Sequence, residues 1–267
     1  MTARRPVLVI GGAGFVGANL AHRLLAEGTA VLVLDNLSRP GVERNLAWLR
    51  REHGALLRVQ VGDVRDAAAV RAAVRQARQV FHLAAQVAVT TSLVDPVGDF
   101  DVNARGTLNV LEAARTLVRP PLVTFTSTNK VYGGLADVAL AHDGRRYAPV
   151  RPTLRAHGVS ERRRLDFHSP YGCSKGTADQ YVLDYARSFG VPTVVFRMSC
   201  IYGPRQMGTE DQGWVAHFLL RAIEGRPITI FGDGRQVRDL LFIDDLVDAF
   251  AHLAPHEEAV AGRAFNI

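Results

Sequence analysis

The residues with most chemistry in them are Tyr171 and Lys175, within Ser169-Pro170-Tyr171-Gly172-Cys173-Ser174-Lys175-Gly176. Four residues apart on a helix, they share one face about a turn from each other. A nearby ammonium favours a phenolate and lowers a tyrosine from its ordinary pKa of about 10. Such a tyrosine can take a proton from a sugar hydroxyl and return it later. A second feature points to the same place. Among 32 basic residues the only lysines are Lys130 and Lys175, and both lie in candidate site motifs. A guanidinium does not replace lysine's compact, shiftable ammonium.

These side chains need a frame. Pro6 to Ile10 reads as a buried strand running into Gly11-Gly12-Ala13-Gly14-Phe15-Val16-Gly17 and then a helix over 18–26. Glycines at 11, 14 and 17 let the backbone turn tightly, approach a pyrophosphate and pack the helix on the sheet. Phe15 and Val16 lie within that glycine run, just before the helix, whose N-terminal amides suit phosphate. A second strand over 30–34 ends at Asp35-Asn36, about 20 residues on, where a carboxylate binds ribose hydroxyls and repels a 2′-phosphate. The cofactor expected is therefore NAD rather than NADP. Strand 56–61 leads to Asp63-Val64, a clamp for the adenine, with Asp63 also able to cap the next helix. Strand 79–83 leads to Leu83-Ala84-Ala85, small enough for the cofactor to come close. One long helix is expected over 96–117, carrying Asn103.

A fifth strand over 122–125 ends in Thr126-Ser127-Thr128-Asn129-Lys130, at the carboxyl edge where a parallel sheet gathers its ligands. Residues 134–168 read as an irregular substrate-side loop. A helix follows to about 189, then a strand over 192–197, a helix over 213–225, a short strand over 228–231, and a last helix from 242. The fold expected is α/β, a Rossmann-type doubly wound parallel sheet over 1–198. A small substrate-binding lobe over 199–267 reads as incomplete, because Phe265-Asn266-Ile267 stops within a strand.

Composition sets the bounds. At 267 residues, 48% hydrophobic and 22% charged, the chain suits one good core or a core plus a small lobe. No apolar run is long enough to span a bilayer, and the N-terminus lacks a signal-peptide layout. Cys173 and Cys200 lie far apart and form no metal pattern, so no metal site is expected and a cytoplasmic setting fits. A net charge of +6 suits an anionic small substrate, whereas scattered arginines argue against nucleic acid.

Taken together, the glycine loop, Asp35, Asp63, Thr128, Tyr171/Lys175 and the run Gly232 to Asp239 resemble the extended short-chain dehydrogenase/reductases that epimerise or dehydrate nucleotide sugars. The resemblance implies tightly held NAD, bound by Gly11, Gly14, Phe15, Val16, Gly17, Asp35, Asn36, Asp63, Val64, Leu83, Ala84, Ala85, Asn103, Tyr171 and Lys175. It implies that Thr128 shares the reacting hydroxyl with Tyr171, and that Arg238 meets the substrate diphosphate. Asn129, Lys130, Cys200 and Arg205 complete the implied sugar side. The runs 127–133, 169–180 and 197–218 resemble the branch acting at C2 of CDP-paratose and CDP-tyvelose. Where dehydratases of the family follow the threonine with Asp-Glu, this chain has Asn129-Lys130, which removes the acid and base of elimination. Ile10 and Cys200 depart from the family's usual threonine and asparagine. A 4-epimerase of a UDP- or GDP-sugar, a net dehydrogenase or reductase, and a non-catalytic NAD-binding protein remain alternatives. The family also implies a homodimer through the helices over 96–117 and 171–189.

Overall fold

The structure, a computed structural model, describes residues 5–267; the expectation for residues 1–4 lies outside it. In chain order the first half runs β1 (Val7–Ile10), α1 (Phe15–Ala26), β2 (Val31–Asp35), α2 (Val42–His53), β3 (Leu57–Val61), α3 (Ala67–Val74) and β4 (Gln79–His82). Then come α4 (Val89–Val94), α5 (Pro96–Phe100), a π-turn (Asp101–Arg105), α6 (Gly106–Arg115) and β5 (Leu122–Thr128). The second half holds β6 (Leu140–His142), β7 (Tyr147–Pro149), α7 (Pro152–His157), α8 (Ser169–Phe189), β8 (Thr193–Met198) and β9 (Cys200–Tyr202). It ends with α9 (Trp214–Ile223), β10 (Leu240–Phe242), α10 (Ile243–Ala251), α11 (Glu257–Val260) and β11 (Arg263–Asn266).

Seven strands form one parallel sheet in the order β3-β2-β1-β4-β5-β8-β11. Chain order reverses between β1 and β4, and that switch point opens a crevice at the carboxyl ends of the strands. The strands are apolar runs because helices cover both faces. On one face Val70, Val74, Val110, Leu111, Ala178 and Val182 of α3, α6 and α8 pack on Leu8, Ile10, Leu34 and Phe125. On the other, Leu20 and Ala21 of α1 meet Ile243, Leu246 and Phe250 of α10 over Val7, Val9, Phe81 and Phe196.

Several expectations need correction. The division at residue 198 places α10 and β11 in the second lobe, yet both complete the large sheet and its core. Their pairing partners are nonlocal: Arg263 to Asn266 align with Val194 to Arg197. No strand forms over 228–231; β10 instead pairs β9, Leu240 opposite Cys200. Residues 134–168 contain an antiparallel hairpin, β6–β7, and α7. The long helix over 96–117 is interrupted by the π-turn and ends at Arg115, and a separate short helix, α4, precedes it. Asp66, not Asp63, caps α3, accepting from the amides of Ala68 and Ala69. Strand β5 runs three residues past its expected end, so Thr126, Ser127 and Thr128 pair Phe196, Arg197 and Met198.

Candidate active site

The glycine loop is built for close backbone approach. Gly11 has a φ of 81°, and a Cβ there would come within 2.6 Å of the Ala84 nitrogen. A Cβ on Gly17 would strike the Gly11 carbonyl oxygen at 2.2 Å. The loop can therefore sit flat against Leu83-Ala84 only as glycine. The carboxylate of Asp35 accepts from the amides of Ala13 (3.0 Å) and Leu37 (2.9 Å), which fixes it at the end of β2 facing the loop. Asp63 accepts from Arg65 (2.8 Å) and from the Asn36 amide (2.8 Å). The Arg65 side chain holds its carboxyl well below the usual carboxylate range, and the amide of Arg65 and Asn36 add to this against partial burial.

A cleft of about 910 Å³ runs along these strand ends. Gly11, Gly14, Phe15, Val16, Gly17, Asp35, Asn36, Asp63, Val64, Leu83, Ala84 and Ala85 line one end. Thr128, Asn129, Lys130, Tyr171, Lys175, Cys200 and Arg238 line the other. A glycine cradle where side chains would collide, a helix N-terminus and a carboxylate at the end of β2 fit a dinucleotide.

Two expected site residues stand elsewhere. Asn103 is 1% exposed and its amide is used behind the cleft. It donates to Gln86 O (3.1 Å), Asp99 (3.1 Å) and Ser174 Oγ (3.0 Å), and it accepts from the Gln86 amide (2.9 Å). Its bond to Ser174 ties it to α8, one residue before Lys175. Arg205 lays its guanidinium over Trp48, 3.7 Å from the ring centre, and does not line the cleft. The side chain is solvent-exposed there, and the aromatic face attracts its cation.

Helix α8 presents Tyr171 and Lys175 on its buried side. Pro170 lies in its first turn, where a missing N–H costs nothing. The Phe167 ring crosses at Gly176, where a Cβ would meet it at 2.4 Å. Farther along, buried Asp179 pairs both oxygens with Arg197 of β8 (2.9 and 2.8 Å), locking the helix to the sheet.

The electrostatics differ from the sequence expectation. Lys175 points its Nζ at the Thr126 carbonyl (2.6 Å) and lies 4.2 Å from the Phe125 ring centre. Burial brings its ammonium down to about 7, against the Asp179 and Asp99 carboxylates that raise it. Burial also pushes the Tyr171 phenol up; a hydrogen bond with Thr128 opposes this, and the Asp99 charge adds to it. The phenol is therefore raised, not lowered: the ammonium is engaged elsewhere and desolvation dominates. Thr128 is the group that favours its ionised form.

Other cleft residues carry no motif. Ser38 and Arg39 flank the Asp35 end, where the Asp-Asn-Leu-Ser-Arg run was their only trace in the sequence. Gln206 and residues 210–215 form a further part of the cleft lining. Among the described residues no group of three or more His, Cys, Asp or Glu could hold a metal ion, and no helix is long and apolar enough to cross a membrane.

Residues 7–267 match the NAD dependent epimerase/dehydratase family. The chain is 45% identical to a CDP-paratose 2-epimerase of Salmonella typhi, covering 98% of this chain and 78% of that protein. It is 33% identical to a UDP-glucose 4-epimerase of Mycolicibacterium smegmatis, covering 97% and 76%. The crystal structure of the Thermus thermophilus UDP-glucose 4-epimerase complex with NAD superposes with a TM-score of 0.78 at 33% identity, covering 98% of this chain and 77% of that one. With the glycine cradle, the strand-end cleft and these matches in agreement, the chain belongs to the NAD dependent epimerase/dehydratase family.

Proposed function

We propose that the protein interconverts CDP-paratose and CDP-tyvelose by inverting C2 of the sugar through a 2-keto intermediate. The observation that carries the choice of carbon is the 45% identity to a CDP-paratose 2-epimerase, against 33% to a 4-epimerase. NAD, held by the glycine loop, Asp35, Asp63 and the 83–85 segment, supplies a hydride acceptor and donor and, when oxidised, a positive charge in the cleft.

The chain's own residues handle the proton. Tyr171 takes it from the C2 hydroxyl as that carbon is oxidised and gives it back when the carbon is reduced. Thr128, bonded to the same phenol, orients the hydroxyl and favours the ionised tyrosine. Lys175 keeps a donor beside the Thr126 carbonyl at the base of the cleft. Arg238 lines the cleft, and in this reading it holds the diphosphate while the sugar turns over. Asn129, Lys130 and Cys200 also line the cleft, and in this reading they border the sugar. With Asn129-Lys130 beside Thr128, the pair of carboxylic acids that would serve elimination is missing at these positions. The nucleotide rests on the lobe that begins at residue 199, and the working unit is a homodimer.

A substrate panel tests the reading. Purified protein given CDP-paratose is expected to yield a C2-inverted product, with UDP-glucose and UDP-galactose at least about 100-fold slower, a ratio that placement of the reacting carbon readily gives. Faster turnover of the UDP-hexoses at C4 would overturn it in favour of a 4-epimerase.

A further inference from the structure

Two asparagine amides tie the dinucleotide side of the cleft to its sugar side. Asn19, on α1, donates from Nδ2 to the Phe15 carbonyl (2.9 Å) and to the Pro204 carbonyl (3.0 Å). Asn45, on α2 and 1% exposed, donates from Nδ2 to the Ala13 carbonyl (3.1 Å) and to the Arg205 carbonyl (3.3 Å). A side-chain amide nitrogen has two N–H groups. Each asparagine directs one at the glycine-loop end of the molecule and the other at one of two consecutive carbonyls, 204 and 205. Arg205 and Trp48 close the junction from outside, Trp48 lying three residues beyond Asn45 on the same face of α2. Met207 packs on Gly41 at the start of that helix, where an added Cβ would come 3.0 Å from its Cγ.

Arg205 has a φ of 71°, a conformation that a residue with a side chain keeps only where its surroundings fix it. Beyond it the chain enters the cleft: Gln206 and residues 210–215 line the sugar side. Thr209 and Gln212 exchange backbone hydrogen bonds (2.8 and 3.2 Å), so the wall is a turn suspended from the 204–205 junction. Ala13 lies in the glycine loop and Phe15 opens α1, the two parts of the cradle that would receive the cofactor's phosphates, so order imposed there has a direct covalent and hydrogen-bonded route to the wall.

We propose that Asn19 and Asn45 are a paired positioning latch, through which filling the dinucleotide cradle sets the 204–215 wall of the sugar site. The proposal rests on NAD occupying the cleft and not on the identity of the sugar. Amide hydrogen exchange of the full chain, with and without NAD, tests it. In the unmodified protein NAD is expected to slow exchange over both 11–17 and 206–215. In the Asn19→Ala/Asn45→Ala protein it should slow 11–17 only, with about a tenfold loss of protection over 206–215, the order that one buried hydrogen bond supports. Should the double variant not fold, Asn45→Ala and Trp48→Ala singly carry the same comparison. NAD-dependent slowing of 206–215 that persists undiminished in the variants, or that is missing in the unmodified protein while 11–17 is protected, would overturn the latch. Protection over 11–17 reports cofactor binding separately, and no sugar is needed for either readout.

Discussion

At the scale of single residues, the chemistry turns on a tyrosine that its surroundings keep protonated. Burial raises the Tyr171 phenol, Thr128 works against that, and Lys175 directs its nearest donor to Thr126. The phenol therefore needs added positive charge in the cleft before it can serve as a base, which links proton transfer to cofactor occupancy. Replacing Tyr171 with Phe removes the proton acceptor while keeping the ring. Turnover is expected to fall by about 10²- to 10⁴-fold, the usual worth of a positioned acid–base group. Titration calorimetry with NAD should give an affinity within a few fold of the unmodified protein. Turnover kept within tenfold would remove Tyr171 from the reaction. The Tyr–Lys spacing was legible in the sequence, since one turn of helix fixes it. The direction of the ammonium was not, because it depends on a carbonyl and a ring from another strand. The same holds for Arg205, whose left-handed backbone and Trp48 partner lie in no motif.

At the scale of elements, the glycine loop is the part the sequence specified most fully, because a strand, a turn and a helix adjacent in the chain determine it together. Its tightest point is Gly17. A Cβ there would sit 2.2 Å from the Gly11 carbonyl oxygen, and backbone has little room to move. Gly17→Ala is expected to weaken NAD binding by at least about 100-fold and to lower the melting temperature, since overpacking costs about 1–3 kcal/mol. NAD affinity by calorimetry near that of the unmodified protein would mean that the loop does not meet the cofactor as described. Other elements were hidden for physical reasons. The π-turn at Asp101–Arg105 leaves no signature in apolar spacing. The β6–β7 hairpin is short, with β6 fully exposed, so alternation of apolar and polar residues is weak there. A run such as Ile228 to Phe231 looks like a strand in isolation, and pairing decides otherwise.

For the molecule as a whole, the sequence conveyed the doubly wound sheet but not where the chain's last strand belongs. Strand β11 joins the far edge beside β8, and α10 fills the core over Phe81 and Phe196, so the cofactor half is completed by residues past 242. That assignment depends on pairings across about 70 residues, which local pattern cannot express. The outer faces of α5 and α8 leave Val97 (70%), Phe100 (47%), Tyr181 (48%) and Phe189 (51%) exposed. Apolar exposure on two helices suits burial against a second copy. Sedimentation equilibrium is expected to give twice the chain's 29.1 kDa, and Val97→Asp/Phe100→Asp to give that mass itself. A monomer in the unmodified protein at micromolar concentration would refute the homodimer.

The proposed chemistry requires that hydrogen leave C2 and return to C2 of the same sugar inside a closed cleft. CDP-paratose carrying deuterium at C2 should be incubated with the protein in ordinary water and the product read by NMR. A C2-inverted sugar that keeps its deuterium at C2 is expected, with no net change in NADH absorbance. An inverted product that has exchanged its C2 deuterium for solvent hydrogen would contradict this, because the carbon would then have been deprotonated rather than oxidised and reduced.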